Sequence, residues 1–223
     1  MSWDPIWENV FRTSGWGRYP NEELIRFMAR NFYTAKARNK VRVLELGCGN
    51  GSNVWYLAKE GFDVVGIDGS ETAIRMAQER LAKEGEKAQC VVGDVSNIAD
   101  RFGPAEFDAV VDLGCLQCNK SGDVRSIVQQ CERILRPGGR MFALLMACGS
   151  WGEGMGREIE PGTYTDVPEG PLKNRGVNHF FSREELDEIW QSFPTRRVDY
   201  VVRSYELGTK EYRTWTLDAA RPE

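Results

Sequence analysis

A glycine-rich segment contains the residues whose types and spacing most clearly suggest chemistry. The letters V-L-E-L-G-C-G-N-G-S-N occupy residues 43–53 and place Gly47, Gly49 and Gly51 at alternate positions. Glycine tolerates positive φ and lets a ligand approach the backbone, so this spacing predicts a tight turn between a strand and a helix. Such a turn is typical of proteins that bind a nucleoside cofactor.

The same spacing disfavours a nicotinamide dinucleotide. The usual fingerprint, G-x-G-x-x-G, has its third glycine three residues after the second, and Ser52 occupies that position here. Glu45 also places a carboxylate inside the preceding strand. A nicotinamide-dependent oxidoreductase is therefore the least favoured enzyme class.

Two further carboxylates follow predicted strands. Asp68 ends the second strand 17 residues after Gly51, where a carboxylate can meet ribose hydroxyls. Asp94 ends the third strand and could accept from the exocyclic amine of adenine, while its neighbour Val95 packs on the ring. A turn or capping role for Asp94 stays open. Together the acids favour an adenosine-type ligand.

An alternation of strands and helices must position these residues. From residue 41 the apolar positions switch regularly between two periods, which is typical of a βα repeat. A nearly all-apolar run at residues 140–147 suits a strand near the centre of a parallel sheet. The predicted strands are 41–46, 63–67, 88–92, 107–112, 140–147, 197–202 and 212–217. An α/β fold with seven strands follows.

Two segments fall outside the repeat. Residues 1–40 predict a helical N-terminal cap, in which Trp3, Trp7 and Phe11 recur four apart. Aromatic stripes at that spacing favour core packing over ligand contact. Residues 148–181 form a second exception, because they are rich in glycine and proline and lack clear periodicity. Such a substrate-side insert is usually either a functional lid or a sign that strands or helices have been missed, and both alternatives stay open.

Composition narrows the functional classes. The chain has 223 residues and a formal net charge of -4, which gives no broad basic surface for nucleic acid. The longest apolar run, residues 141–148, is far shorter than the roughly 18 residues that a membrane helix needs. The first residues lack a basic cluster, so no secretory signal is expected. We expect a cytoplasmic protein with free cysteines and no membrane or nucleic-acid partner, and its oligomeric state stays open.

In this order the segments resemble class I S-adenosylmethionine-dependent methyltransferases. E-L-G-C-G-N-G resembles the cofactor loop, V-V-G-I-D-G-S the second-strand acid, G-D-V the adenine-side acid, F-D-A-V-V-D the fourth strand and I-L-R-P-G-G-R the fifth-strand turn. The resemblance covers roughly residues 41–147 and extends more loosely to residue 223. It implies a Rossmann-like, seven-stranded, mostly parallel sheet with an antiparallel last strand, in a methyltransferase domain over residues 41–223.

A finer resemblance concerns the acceptor. The form G-C-G-N-G-S-N and the tryptophan-bearing N-terminal segment are similar to small-molecule methyltransferases of the thiopurine and tellurite type. This similarity implies a small-molecule methyl acceptor. The sequence 112–115, D-L-G-C, also differs from the N/D-P-P-Y/F type that enzymes methylating nucleic-acid amines use.

The resemblance implies roles in cofactor binding. The amino-acid end of S-adenosylmethionine would lie against Glu45, Gly47, Gly49 and Gly51, with backbone contacts from Cys48 and Asn50. Asp68 with Gly69 would bind the ribose, and Asp94 with Val95 the adenine. The sulfonium would lie beside Asp112, Leu113 and Gly114. The segment G-W-G-R-Y-P could also fold over the cofactor through Trp16, Arg18 and Tyr19, since flat rings and a guanidinium suit a nucleoside and a carboxylate. Aromatic packing is the alternative.

Methyl transfer from a sulfonium is an in-line displacement, so positioning dominates and a base assists a nucleophile that must lose a proton. His179, the one histidine, is a candidate base, although a hydrogen-bonded structural imidazole stays open. Asp112 is the second catalytic candidate, with Glu153 and Asp166 as weaker ones. Cys115 and Cys118 have zinc-like spacing, but a second ligand pair is missing from the sequence, so no metal site is predicted.

The favoured function is methyl transfer to an oxygen, nitrogen or sulfur atom of a small metabolite. Two alternatives stay open: methylation of RNA or protein, and a non-catalytic module that binds S-adenosylmethionine. In the latter case the aromatic residues of the insert would form a partner interface rather than a substrate pocket. These residues are Trp151, Tyr164, Phe180 and Phe181.

Overall fold

A computed structural model describes residues 3–223 of the chain, so Met1 and Ser2 of the predicted cap lie outside the described residues. Within residues 3–223 the chain forms ten strands and seven α-helices. The strands are β1 (Arg42–Leu46), β2 (Asp63–Asp68), β3 (Gln89–Val92), β4 (Phe107–Asp112), β5 (Leu135–Met146), β6 (Arg157–Glu160), β7 (Thr163–Thr165), β8 (Asn178–His179), β9 (Thr195–Tyr205) and β10 (Lys210–Ala220). The helices are α1 (Ile6–Thr13), α2 (Glu22–Asn31), α3 (Ser52–Lys59), α4 (Glu71–Glu84), α5 (Ile98–Arg101), α6 (Ser121–Ile134) and α7 (Arg183–Ile189).

Seven of these strands form one sheet in the order β3-β2-β1-β4-β5-β10-β9. The first five strands of that order pair in parallel, whereas β10 is antiparallel to both β5 and β9. The predicted fold class, including the antiparallel last strand, is confirmed. The carboxyl ends of β1, β2, β4, β5 and β9 therefore share one edge of the sheet, where β10 begins.

The core lies on both faces of the sheet. Leu44 and Leu46 of β1 pack in a cluster with buried residues of α6 and α7, and Val43 packs in a second cluster with α3 and α4. This alternation follows from the two-residue period of a strand. Glu45 shares the face of Val43, which directs a carboxylate toward α3.

Two helices begin at serine residues that cap them. Ser70 begins α4 and accepts a hydrogen bond from the backbone N–H of Ala73 at 3.1 Å. Ser182 begins α7 and accepts from the N–H of Glu185, also at 3.1 Å. Such caps satisfy backbone donors that have no partner inside the helix.

The N-terminal aromatic stripe differs from the prediction at its first residue. Trp3 precedes α1, which begins only at Ile6, because Pro5 disfavours helical backbone at Asp4. Later in the predicted cap, α2 forms, and its Phe27 stacks on Phe142 of β5 with ring centroids 4.8 Å apart. Core packing therefore describes α2 well, while α1 covers the carboxyl edge of the sheet.

The main sheet has the seven strands predicted, and the insert adds a small antiparallel sheet in the order β6-β7-β8 that the sequence did not predict. These strands have four, three and two residues, too few to display a period. The P-G-G segment also differs from the prediction, since α6 ends at Ile134 and β5 begins before Pro137. A register shift between Phe107 and Ala109 of β4 accommodates that segment. Among residues 3–223, no helix has the length and apolar character that crossing a membrane requires.

Candidate functional site

The glycine turn joins β1 to α3 at the carboxyl edge of the sheet. Gly47, Gly49 and Gly51 have φ values of +59°, +52° and +73°, which L side chains rarely adopt. A Cβ on Gly47 would lie 2.6 Å from Cβ of Cys115, and one on Gly51 would lie 2.6 Å from Cβ of Ala77. Gly47 and Gly49 line a cavity of about 550 Å³, while Gly51 lets α3 begin against α4.

Glu45 is buried beneath this turn and lines the cavity. Its Oε1 accepts a hydrogen bond from Nδ2 of Asn53 at 2.7 Å, whereas Oε2 is buried without a partner in the described structure. Burial raises the pKa of Glu45 to about 8, although the bond from Asn53 opposes this shift. A buried acceptor without a donor is costly, so the site favours a ligand that donates there.

Asp68 closes β2 and also lines the cavity. Its two oxygens accept from the backbone N–H groups of Gly49 and Ser70, each at 2.9 Å. Burial raises its pKa, and these bonds act in the opposite direction. Each carboxylate oxygen has two lone pairs, so Asp68 retains acceptor capacity for a ribose hydroxyl while it shapes the turn.

The adenine-side residues separate in the structure. Val95 and Gly69 line the cavity. Asp94 lies outside that lining, and its oxygens accept from the N–H of Ser96 at 2.9 Å and the N–H of Trp3 at 3.2 Å. The open alternative, in which Asp94 caps a turn, matches this geometry.

Of the residues predicted to lie beside the sulfonium at the end of β4, only some line the cavity. Leu113 and Gly114 line the cavity. Asp112 is fully buried outside that lining and accepts from the N–H groups of Cys115 and Leu116, each at 2.9 Å. Burial raises the pKa of Asp112 to about 7, against the effect of these bonds. The structure therefore supports Asp112 as the residue that shapes the loop rather than as a base in contact with substrate.

His179 also lies away from the cavity lining. Its Nδ1 is 2.6 Å from Oγ1 of Thr163, and its Nε2 is 2.9 Å from Oε2 of Glu185. Only 1% of its surface is exposed. Ser121 of α6 donates to the other oxygen of Glu185 at 2.6 Å, so the imidazole links the insert to α6 and α7. This arrangement favours the structural alternative over the predicted base.

The weaker base candidates lie elsewhere in the insert. Glu153 accepts from the N–H of Gly149 at 2.5 Å, and Asp166 is 3.8 Å from Arg157 on the surface. Both lie outside the cavity lining. Of the aromatic insert residues, Phe180 and Phe181 are buried, and Trp151 donates to Glu169 at 3.1 Å.

The segment before α2 is tied to the glycine turn. Asn50 donates from Nδ2 to the carbonyl of Gly17 at 3.0 Å, and Arg80 of α4 donates to the carbonyls of Asn50 and Arg18 at 3.1 and 2.7 Å. Tyr19 follows on the rim of the cavity, with 73% of its surface exposed. Cys48 lines the cavity in the same turn.

Aromatic residues of the N-terminal segment form a wall of the cavity. Phe11 stacks on Trp16 with ring centroids 4.7 Å apart, and Trp7 lies 6.3 Å from Trp16. A Cβ on Gly49 would lie 3.3 Å from the Phe11 ring, so the wall rests directly on the glycine turn. For α1, contact with a ligand is therefore the better interpretation of the aromatic spacing.

The far end of the cavity contains residues that the sequence did not single out. They come from the loop after β4, from the insert and from the adjoining ends of β9 and β10: Gln117, Arg175, Arg203, Tyr205 and Tyr212. Arg203 and Tyr205 lie beyond the predicted end of their strand at residue 202, so a longer strand would have revealed them. Tyr212 is the first residue of the predicted last strand. Cys115 and Cys118 also line the cavity, and residues 3–223 contain no group of three or more side chains arranged to hold a metal ion.

The donors and acceptors present fit S-adenosylmethionine. The unpartnered Oε2 of Glu45 suits an ammonium group, and the glycine turn leaves space that a Cβ would fill. Asp68 stands one strand away in the position of a ribose ligand. When bound, this cofactor supplies an electrophilic methyl group on sulfur.

Comparisons with known proteins agree with this site. Residues 43–139 match a family model described as Methyltransferase domain. A ubiquinone biosynthesis O-methyltransferase from Dechloromonas aromatica is 36% identical over 101 residues, which are 45% of this chain and 42% of that protein. A protein with the same description from Idiomarina loihiensis is 33% identical over 103 residues, covering 45% and 40%. The chain thus spans less than half the length of these relatives.

Solved structures share the fold over nearly the whole chain. A methyltransferase from Methanosarcina mazei has a TM-score of 0.69 and 20% identity, covering 92% of this chain and 99% of that one. TehB from Haemophilus influenzae has a TM-score of 0.63 and 19% identity, covering 97% and 66%. The fold and cavity define an α/β protein that binds a nucleoside cofactor at the carboxyl edge of its sheet. The family match and the curated relatives support the resemblance to class I S-adenosylmethionine-dependent methyltransferases.

Proposed function

We propose that the protein transfers the methyl group of S-adenosylmethionine to an oxygen, nitrogen or sulfur atom of a small metabolite. The cavity carries this proposal. Its cofactor end is the glycine turn, and α1, the insert and the ends of β9 and β10 enclose the remainder. A volume of about 550 Å³ within such walls suits a small molecule, because ligand pockets usually measure roughly 300–1,000 Å³.

Positioning is the main contribution expected of the protein. Leu113 and Gly114 lie in the lining between the cofactor end and the far end, so an acceptor held at the far end would meet the methyl group near them. The aromatic wall and the insert keep water away from an in-line displacement. Burial raises the pKa of Tyr212, so this phenol would stay neutral and orient an acceptor by a hydrogen bond.

The accepting atom is the least constrained part of the proposal. The curated relatives are named O-methyltransferases, which favours oxygen. The family match ends at residue 139, however, before the insert and the ends of β9 and β10 that form the acceptor end. Acceptor choice therefore depends on parts of the chain outside that match.

Formation of S-adenosylhomocysteine across a library of small hydroxyl, amine and thiol compounds tests the function. We expect turnover with some of them and micromolar binding of the cofactor by isothermal titration. Turnover only with RNA or protein would support the macromolecular alternative. Cofactor binding without turnover on any acceptor class would support the non-catalytic module, and absence of binding at millimolar cofactor would refute the cofactor assignment.

A further inference from the structure

Two arginines that line the cavity differ from most others in the molecule. Arg175 comes from the insert and Arg203 from β9, and both line the cavity. Most arginines in residues 3–223 pair with carboxylates, as Arg140 does with Asp218 at 2.6 Å. Within that part of the chain, neither Arg175 nor Arg203 makes an ion pair or a side-chain hydrogen bond. Their N–H groups are therefore available to a ligand.

Arg175 is held in place by aromatic rings rather than by an anion. Its guanidinium carbon lies 4.9 Å from the ring centroid of Trp16 and 5.9 Å from that of Trp7. Aromatic rings attract a guanidinium without accepting conventional hydrogen bonds from it, so the N–H groups of Arg175 can still bind an oxyanion, through two bonds where it is planar. The rings therefore position the cation without supplying a counter-charge.

A buried hydrogen-bond donor without a partner belongs to the ring beside Arg175. Nε1 of Trp16 is buried and has no hydrogen-bond partner in the described structure. The indole N–H can only donate, so a ligand that satisfies it must present an acceptor. Asp4 also lines the cavity, and its Oδ1 accepts from the N–H of Ile6 at 3.0 Å.

The order of strands separates Arg203 from the cofactor end. Between β1 and β9 lie β4, β5 and β10. With neighbouring strands about 4.8 Å apart, Arg203 stands on a strand about 19 Å from β1 and farther from Asp68 of β2. A ligand that reaches this arginine occupies the acceptor end.

We propose that the methyl acceptor is a planar molecule that carries a carboxylate or phosphate group. Arg175 and Arg203 bind the anionic group, and the indole N–H of Trp16 donates to the same ligand. Tyr205 and Tyr212, which also line the cavity, supply rings that pack on its plane. This inference rests on the proposed function, because it names the acceptor class for the same cavity. Charged, bidentate hydrogen bonds would supply the preference for an acid over its neutral amide.

Calorimetric titration of the full chain with saturating S-adenosylhomocysteine tests the proposal. The probes are benzoate, phenyl phosphate and benzamide, which share a ring and differ in charge. We expect benzoate or phenyl phosphate to bind about tenfold more tightly than benzamide, the size expected for hydrogen bonds to a charged group. The anion that binds more tightly indicates whether the acceptor carries a carboxylate or a phosphate. Arg175→Gln and Arg203→Gln should each reduce this ratio toward one.

Arg157→Gln is the matched control. Arg157 lies in the same insert, is 70% exposed and pairs with Asp166, so its loss should leave the ratio unchanged. If Arg175 merely fastened the insert to α1, its substitution would weaken benzoate and benzamide binding equally, and that result would overturn the proposal. If either variant fails to fold, the affinities of the unmodified protein for the two anions and for benzamide still test whether the acceptor is anionic.

The cofactor titration separates the two proposals. Failure of S-adenosylhomocysteine to bind the unmodified protein would overturn the proposed function and this inference with it. Normal binding of S-adenosylhomocysteine with equal affinities for benzoate and benzamide, or with no binding of either, overturns the acceptor class alone. Weaker S-adenosylhomocysteine binding in Arg175→Gln with an intact benzoate preference would assign Arg175 to the cofactor carboxylate instead.

Discussion

Glu8 accepts hydrogen bonds from both polar groups of Thr72, from Oγ1 at 2.6 Å and from the backbone N–H at 3.3 Å. Ser70 adds a third bond from its Oγ at 2.5 Å. Both donors belong to the start of α4, directly after Asp68 and Gly69. A single carboxylate therefore fastens α1 beside the predicted ribose site.

Glu8→Gln should weaken cofactor binding, because α1 carries part of the wall that rests on the glycine turn. A neutral amide donates as well as accepts and cannot satisfy both hydroxyls equally. We expect a loss of about tenfold in S-adenosylmethionine affinity by isothermal titration. Glu22→Gln is the control, since Glu22 is exposed in α2 and pairs with Arg26. Equal affinities in all three proteins would contradict the role of Glu8.

The stability of Glu8→Gln should also depend less on acidic pH than that of the unmodified protein. Hydrogen bonds from Ser70 and Thr72 lower the pKa of Glu8 from 4.5 to about 2. The stability contributed by a lowered carboxyl pKa is fully present above pH 4.5 and is lost as the pH falls toward 2. Over that range, the free energy of unfolding measured with urea should fall less steeply in the variant. Parallel curves would show that the carboxylate has no such linkage.

The raised pKa of Glu45 predicts that a proton is released when the cofactor binds. Burial raises the pKa of the free carboxyl to about 8, so it is mostly protonated at neutral pH. An ammonium group at Oε2 favours the ionised form, lowers this pKa and expels a proton, so cofactor affinity should rise between about pH 6 and pH 8. Calorimetry in buffers of different ionisation enthalpy counts the proton. Glu45→Gln should abolish the release, and an unchanged proton count would place the cofactor ammonium elsewhere.

Alanine substitutions at Gly51 and Gly85 allow a matched comparison of their effects on the free energy of unfolding. Both have positive φ, +73° and +75°, but a Cβ on Gly85 meets nothing within 4 Å, whereas one on Gly51 meets Ala77 at 2.6 Å. Gly85→Ala should cost about 1 kcal/mol from backbone strain alone. Gly51→Ala should cost a further ~1–3 kcal/mol because of overpacking against α4. Denaturant unfolding measures both, and equal losses would mean that α3 and α4 separate easily.

His179→Ala should reduce stability more than turnover. Removal of the imidazole leaves Thr163 and Glu185 without their buried partner, which costs about 1–3 kcal/mol. Because the ring lies away from the cavity, kcat of the folded fraction should change little once an acceptor is known. A fall of about 100-fold in kcat with unchanged stability would restore His179 as the base, since general bases contribute about that much or more.

The sheet and the cofactor end were predictable because they depend on local signals. Glycine spacing fixed the turn after β1, and a carboxylate directly after a strand must stand at the sheet edge, as Asp68 does. Whether an oxygen at that edge faces the cavity depends on neighbouring N–H groups. Asp94 and Asp112 turn toward those groups, and nothing in their sequence positions distinguishes them from Asp68.

The acceptor end was much less predictable. Trp7 and Phe11 have the spacing of a buried stripe whether the helix covers a core or a cavity. Arg175 lies in a segment without periodicity, and Arg203 follows the predicted end of its strand. Which side chains meet there depends on long-range packing of the insert against α1, which no local pattern encodes.

One compartment extends from the glycine turn to the start of β10, and both ligands must share it. An acceptor that extends toward Glu45 would exclude the methyl donor. Initial rates should therefore pass through a maximum as acceptor concentration increases, and a larger excess of donor should move that maximum to higher acceptor concentration.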